Sequence, residues 1–393
     1  MTILDDPYRP RATVTLLRGR EAAVERGHPW IYRGALDGQP AEMSGPVEVL
    51  AHGGARLGVA LAGEPGGSLA LRMVAWKGEE WSRETLRRRL AGAAALRREL
   101  RIDADAYRLV HAEGDRLPGL VVDLYAGYAV VQPFAPAWSV YLDDLADILV
   151  AEHDCRTVLL RQPATSAATT LRGARPDEPV VVREGGVRFP VDLVRGQKTG
   201  FFLDQRDNRH RLAALAVGRS VLNLFSYSGG FAVAALVAGA RRATNVDASA
   251  DALDLARQAT ALNGLVVEDE SFVLGNAFEV CRALAGAGHR FDAVVVDPPA
   301  FVKRKTDMHQ GLKGYREINR QALRVAAPDA ILLTCSCSAL VSDEQFGGAL
   351  LAAALDAGRD VRVLGRYSAG PDHPVLLACP ETRHLKAWFC RVA

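Results

Sequence analysis

The chain has 393 residues, 49% hydrophobic and 24% charged, and its 48 basic and 46 acidic side chains leave a net charge of +2. This composition excludes a disordered chain, and the length suits two or three folded domains. The charge balance excludes a global electrostatic pull on nucleic acid, so any such contact has to come from a local basic patch.

The first ten residues, MTILDDPYRP, carry two aspartates and no apolar run, which argues against a secretory signal. The longest apolar stretch, Phe231–Ala240, is far shorter than the ~20 residues of a membrane span. Six cysteines, at 155, 281, 335, 337, 379 and 390, form no CxxC pair. Free thiols in a reducing compartment follow, and with them a cytoplasmic protein without membrane attachment.

In chain order, residues 11–75 read as short strands (RATVTLLRG, PVEVLAHGG, RLGVALAG, SLALRMVAW) with glycine turns between them, a small β-rich module. A helix is predicted over Ser82–Leu100, capped by Ser82, with Leu86, Leu90 and Ala93 at helical spacing. Residues 106–195 form a second strand-rich stretch: YRLVHAEGDRLPGLVVDLYAGYAVVQPF, a helix near Trp138–Glu152, then TVLLRQ and PVVVREGGVRFPVDL. Glycine turns at Gly127 and Gly185–Gly186 mark it as an α+β unit, and Ala164–Pro179 reads as an irregular loop. Gln197–Arg209 is unusually dense in aromatics, amides and charges for a linker, and is a candidate to pack over a cofactor.

From Gly218 strands and helices alternate: VLNLFSY then GFAVAALVAG, ATNVDAS then ADALDLARQATALNG, SFVLGNA then AFEVCRALAG. FDAVVVDPP precedes a helix around Lys313–Ala327, AILLTCSCS precedes DEQFGGALLAAALDAG, and VRVLGRY and LKAWFCRV close the chain. Apolar runs of this kind imply strands buried on both faces, hence an α/β domain with a mostly parallel sheet covered by helices.

In such sheets ligands sit beyond the carboxyl ends of the strands, so the residues that follow each strand are the informative ones. They are Phe225-Ser226-Tyr227-Ser228-Gly229-Gly230 after the first, Asp247 after the second, Asn276 after the third, Asp297-Pro298-Pro299 after the fourth, and Thr334-Cys335-Ser336-Cys337-Ser338 after the fifth. Glycines let backbone approach a ligand, an aspartate accepts from ribose hydroxyls, and an asparagine amide can read an adenine edge. A nicotinamide site would share much of this, but GxGxxG and its pyrophosphate cradle are absent; S-adenosylmethionine has no phosphate to cradle.

A thiolate adding to cytosine C6 would make C5 nucleophilic enough to take a methyl group. Residues 335 and 337 project to the same side of an extended segment, so both can face the crevice; Cys337 is the nucleophile candidate and Cys335 a packing thiol. CxC without a partner pair falls short of a metal site. Residues 72–101 carry a net charge of +5, which a solvated helix face explains as well as RNA does. Residues 303–324, with seven basic and two acidic side chains beside Asp297-Pro298-Pro299, are better suited to phosphate contacts.

Together, GQKTGFFLDQRDNR, VLNLFSYSGGFAVAAL, NVDASADALDLARQ, VVVDPPAF and LLTCSCS resemble the RlmI-type rRNA (cytosine-C5) methyltransferases. RGREAAVERGHPWIYRGAL resembles the opening of their PUA RNA-binding domain, and YRLVHAEGDRLPGLVVD their central domain. The resemblance implies a PUA domain over 1–78, a central α+β domain over 79–195, and a Rossmann-like class I methyltransferase domain over 196–393. It implies 5-methylcytosine formation in 23S rRNA, at cytosine 1962, with Cys337 as nucleophile and Asp297 as a second catalytic residue. S-adenosylmethionine would be bound by Phe225, Ser226, Tyr227, Ser228, Gly229, Asp247, Ala248, Asn276 and Asp297, with Lys198, Thr199, Gly200 and Phe202. Lys303, Arg304, Lys305 and Arg206 would contact the RNA. The implied partner is large-subunit rRNA, with no metal and no membrane; a homodimer is left open, as is the alternative of an rRNA methyltransferase acting on guanine or another nucleotide without a covalent step.

Overall fold

The computed structural model describes residues 6–38, 43–162 and 167–393, which divide into two compact units. The first holds the chain up to Val180 with residues 192–201 and 371–382; the second holds 181–191, 202–370 and 383–393. Among the described residues no helix is long and apolar enough to cross a membrane.

The first unit contains two five-stranded sheets. One joins Ala12–Thr15, Trp30–Tyr32, Pro46–Leu50, Arg56–Ala62 and Leu69–Trp76 around a core that includes Val14, Leu16, Val47, Val49 and Leu71. Ser82 then caps the helix Arg83–Glu99 by accepting the Thr85 N–H at 3.2 Å, and Leu86, Leu90 and Ala93 turn inward. The arginines of this helix are largely ion-paired: Arg87 with Glu84 and Glu152, Arg88 and Arg89 with Glu79, Arg97 with Asp115. Much of the positive charge of residues 72–101 is therefore offset within this unit.

The other sheet joins Ala106–His111, Leu120–Tyr125, Tyr128–Pro133, Thr157–Leu160 and Thr169–Arg172. Its last strand corrects the irregular loop expected over Ala164–Pro179. All four of its side chains are exposed or half-buried, so no apolar alternation marks it, but it pairs antiparallel with Thr157–Leu160. Residues 163–166 of that loop lie outside the described residues. The helix expected near Trp138–Glu152 is a 3-10 turn, Pro136–Tyr141, followed by a helix, Leu142–Glu152.

In the second unit, strands β1 (Ser220–Leu224), β2 (Arg242–Asp247), β3 (Phe272–Leu274), β4 (Phe291–Val296), β5 (Ala326–Ser336), β6 (Val361–Tyr367) and β7 (Lys386–Val392) form one sheet in the order β3-β2-β1-β4-β5-β7-β6. The first five run parallel, while β7 inserts antiparallel between β5 and β6. Helices α1 (Arg206–Leu215), α2 (Gly230–Val237), α3 (Ala250–Leu262), α4 (Ala277–Gly286), α5 (Met308–Val325) and α6 (Asp343–Ala357) accompany it. Strand side chains alternate between two covers. Leu222, Leu224, Val294, Val296 and Leu332 join the cluster of α4, α5 and α6; Val221, Ala293, Val295, Ile331, Leu333 and Cys335 join that of α1 and α2.

Two helices differ from expectation. Apolar periodicity does not reveal α1, because its buried face is partly polar: Arg209 Nε donates to Glu184 at 2.8 Å, and Asn208 is fully enclosed. Helix α5 begins five residues before the predicted Lys313. Two glycines weaken the helical signal there, yet a side chain at Gly311 would overlap Val302 Cγ2, so glycine is what lets residues 301–302 lie against the helix.

Candidate active site

The strand order reverses at β1, whose neighbours are β2 and β4, and this opens a crevice at the carboxyl ends. The loop after β1 is strained: Phe225 and Tyr227 have φ of +57° and +47°. Such non-glycine conformations cost on the order of 1–3 kcal/mol each and persist only where the surroundings enforce them. Here Ser226 N–H donates to Val246 O at 3.0 Å and Tyr227 N–H to Asp247 Oδ2 at 2.7 Å. Gly229, with φ of +74°, opens α2, and a Cβ there would stand 2.9 Å from Ala256 Cβ in α3. The position therefore needs glycine for its conformation and for its space.

Asp247 ends β2. Its Oδ1 accepts the Ser249 N–H at 2.9 Å and its Oδ2 the Tyr227 N–H, so the carboxylate is fixed while each oxygen keeps a lone pair for a hydroxyl. Ser226 Oγ, on a residue 7% exposed, has no hydrogen-bond partner among the described residues. A buried hydroxyl left this way wants a polar ligand, and with the Asp247 carboxylate it fits the ribose and amino-acid ends of S-adenosylmethionine. Asn276 caps α4, its Oδ1 accepting the Phe278 N–H at 2.9 Å, which leaves its Nδ2 for an adenine edge. Ala248 is exposed beside Asp247, and the Phe202 and Tyr227 rings meet edge-on at 5.3 Å. Phe225, Phe278 and Phe301, with centroids 6.2 Å apart in succession, add an aromatic ledge that the sequence reading did not anticipate.

The Ser336-Cys337-Ser338 turn follows from strand alternation. Ser336 and Ser338 point to the α5 side, where Tyr315 hydroxyl meets Ser336 Oγ at 2.9 Å and Ser338 Oγ at 2.8 Å. Val302 N–H also donates to Ser338 Oγ, at 3.1 Å. Cys335 and Cys337 pack against the cluster of α1 and α2 on the other side, as the extended spacing predicts. All six cysteines are described; five are buried and Cys337 is half-buried. Burial pushes the thiols of Cys155, Cys281, Cys379 and Cys390 up to about 12. Cys335 is held well above its usual value by burial first and then by the Asp297 carboxylate. Cys337 donates its thiol hydrogen toward Pro298 O at 3.7 Å, which puts the sulfur against the Asp297-Pro298-Pro299 turn after β4. Tyr315 and Lys386, whose Nζ donates to Ser338 O at 3.1 Å, complete the turn.

Of the residues expected to meet RNA, Lys303, Arg304 and Lys305 are exposed, Arg304 lying 3.6 Å from Asp307. Farther along α5, Arg316 pairs with Asp356 and Arg320 with Glu317, so the patch is narrower than the count of basic residues suggests. Arg206 is a correction. It opens α1 facing inward, 3% exposed with Nε 3.4 Å from Asp207, and does not present its guanidinium at the surface. Lys198, Thr199 and Gly200 belong to the first unit. There Thr199, 1% exposed, donates to Asp123 Oδ2 at 2.5 Å and meets Tyr125 hydroxyl at 2.9 Å, while Arg108 grips the same carboxylate at 2.8 and 2.9 Å. The Thr199 side chain thus serves that unit's polar core, which corrects its expected role toward a cofactor.

Among the described residues, one trio of metal-ligating side chains lies together: His28, Cys379 and Glu381, with ligand atoms within 4.8 Å. His28 Nδ1 accepts the Trp30 N–H at 3.1 Å, which assigns the ring proton to Nε2, facing Glu381. The trio then offers two ligand atoms, short of a usual site.

Residues 135–376 match the S-adenosylmethionine-dependent methyltransferase family, and residues 14–76 match the PUA-like domain. Ribosomal RNA large subunit methyltransferase I of Aeromonas salmonicida is 36% identical, covering 96% of this chain and 98% of the relative. The protein of the same name from Salmonella newport is 36% identical with both chains fully covered. A putative S-adenosylmethionine-dependent methyltransferase from Streptococcus mutans shares the fold, with a TM-score of 0.86 at 20% identity over 97% of this chain and all of that one. Another, titled a putative methyltransferase complexed with SAH, has a TM-score of 0.85 at 19% identity, over 98% and 100%.

Proposed function

The chain belongs to the S-adenosylmethionine-dependent methyltransferase family and carries a PUA-like domain, and from that premise we propose that it methylates C5 of a cytosine in large-subunit rRNA, at cytosine 1962, through a covalent bond between Cys337 and C6. Its relatives' name, ribosomal RNA large subunit methyltransferase I, supports the substrate class. The observation that carries the chemistry is Cys337 itself. It is the half-buried thiol of the six, set at the carboxyl edge of the sheet against the turn that carries Asp297.

Bound in the crevice, S-adenosylmethionine supplies an electrophilic methyl group. Asp247 accepts from ribose hydroxyls, Ser226 Oγ gains the partner it lacks, and Asn276 Nδ2 reads the adenine edge. Cys337 adds as thiolate to C6 of the cytosine, which places the electron pair on C5 for methyl transfer. The C5 proton is then lost to a base, the C5–C6 double bond re-forms, and the Cys337 sulfur leaves C6. Asp297 contacts the base or the cofactor, and Lys303 and Lys305 contact phosphates. The protein works without a metal, in the cytoplasm, with domains over 1–78, 79–195 and 196–393.

RNA carrying 5-fluorocytosine tests this reading, because fluorine at C5 cannot leave as a proton. A stable RNA–protein adduct that disappears in Cys337→Ala is expected. Normal methylation by Cys337→Ala without any adduct would overturn the covalent route and favour guanine or another nucleotide.

A further inference from the structure

Five side-chain hydrogen bonds hold the Ser336-Cys337-Ser338 turn, and one of them comes from a buried cation. Lys386 opens β7 directly opposite Ser336 of β5, and it is 5% exposed. Its Nζ donates to the carbonyl oxygen of Ser338, the residue after Cys337. Burying an ammonium is costly unless its charge is used. A methionine would fill the same space without that penalty, and a neutral amide could satisfy one carbonyl. The choice of lysine therefore calls for an anion nearby.

Several charged and titratable groups face this turn. Asp297 lies in the turn that Cys337 touches after β4, Tyr315 comes from α5, and Cys335 from β5. Asp204, from the segment before α1, acts with Asp297 to push the Cys335 thiol up. Beside Lys386, Asp343 pairs with Arg383 at 3.0 Å and is also the leading anion acting on the Lys386 ammonium. Burial pushes Tyr315 up, so it stays neutral. The carboxylates oppose ionisation of the Cys335 thiol, and Lys386 is a buried cation at the same turn.

We propose that Lys386 is a positioning residue for Cys337: fixed on the Ser338 carbonyl, its ammonium holds positive charge against the backbone one residue from the sulfur and favours the thiolate. The inference rests on the reading of Cys337 as nucleophile and deepens it. The interaction is reciprocal. Burial pushes the Lys386 ammonium down; Asp343 raises it most, Arg383 opposes, and Cys337 raises it after them, so by linkage the ammonium favours the thiolate by as much as the thiolate favours the ammonium.

The test labels the full chain with iodoacetamide across a pH series, without RNA or S-adenosylmethionine, and follows the Cys337 peptide by mass spectrometry. In the wild-type chain, labelling should reach its midpoint below the ordinary thiol value of about 8.5; a midpoint at or above it overturns the proposal. Lys386→Met should keep a cooperative melt, move the profile to higher pH, and label about tenfold more slowly at neutral pH, one pH unit being a tenfold change in thiolate. Lys386→Arg, which keeps the charge, should restore the wild-type profile. A folded Lys386→Met whose profile overlays the wild type sinks the idea, and Lys386→Gln repeats the comparison should the methionine variant not fold. In methylation assays kcat should fall with the labelling rate while KM for RNA holds. Because labelling needs no turnover, an active Cys337→Ala would remove the catalytic reading and leave the charge effect measurable by itself.

Discussion

The two ends of the seven-stranded sheet use the same residue types in opposite ways. At the amino ends, Ser220 of β1 and Asp292 of β4 satisfy one another. Ser220 N–H and Oγ both donate to Asp292 Oδ2 at 2.8 Å, Asp292 N–H donates back to Ser220 Oγ at 3.1 Å, and Arg241 closes the carboxylate at 3.1 Å. At the carboxyl ends, Ser226 Oγ has no partner among the described residues, Asp247 keeps lone pairs to spare, and two non-glycine residues hold left-handed backbone. At the amino ends serine and aspartate spend their hydrogen bonds on each other and on Arg241, and serve stability. At the carboxyl ends a serine and an aspartate keep hydrogen-bonding capacity to spare on strained backbone, a shape for a ligand.

Substitutions at the two ends can break this contrast. The largest effect belongs to Cys337→Ala, which should lower methylation by at least about 10³-fold with S-adenosylmethionine affinity retained in calorimetry; retained activity would deprive the carboxyl end of its reactive group. Next, Asp247→Asn should weaken cofactor affinity by about 1.5–3 kcal/mol, the range for hydrogen bonds to a charged acceptor, with little change in a urea melt. Asp292→Ala is its mirror image: it strands the Ser220 N–H on a residue 1% exposed and should cost about 1–3 kcal/mol in the same melt, with cofactor affinity unchanged. Ser220→Ala should then cost about 1 kcal/mol, and Ser226→Ala close to nothing, because no hydrogen bond is lost. Equal costs at the two serines would dissolve the distinction.

The smallest effect is the pH dependence of Asp292. The Ser220 N–H, first among several contacts, holds its carboxyl below the usual range against the opposing pull of burial. A depressed folded value means that its stabilisation is fully present above the unfolded carboxylate value of about 3.9 and is lost as pH falls through the folded value. Urea melts below pH ~4 should therefore show a shallower acid loss in Asp292→Asn than in the wild type.

Local signals made much of this legible in the sequence. Strand–helix alternation, the glycine at position 229, the aspartates after β2 and β4 and the Cys335-Ser336-Cys337 run after β5 all announce themselves within a few neighbours. Asn276 could also have been read as a cap, since Glu279 follows it by three residues in the pattern of a helix start. Lys386 and Tyr315 could not. They reach Ser338 across 48 and 23 residues of chain, and no period or motif encodes the antiparallel insertion that brings β7 beside β5. Arg206 and Thr199 look like contact residues in sequence because polarity reads as exposure, whereas each is buried in a polar cluster. Helix α1 was hidden for the same reason: an ion pair stands where apolar spacing would have shown it.

The insertion of β7 has a consequence for biosynthesis. Strand β5 leaves the ribosome roughly fifty residues before β7, one of its two neighbours, and β6 emerges with β7, its one neighbour among the described residues, still unmade. The catalytic unit therefore cannot close vectorially, amino end first, as many domains can. Its final registration waits for Lys386–Val392, so the nascent chain gains its finished sheet and the contacts around Ser338 in a single late event.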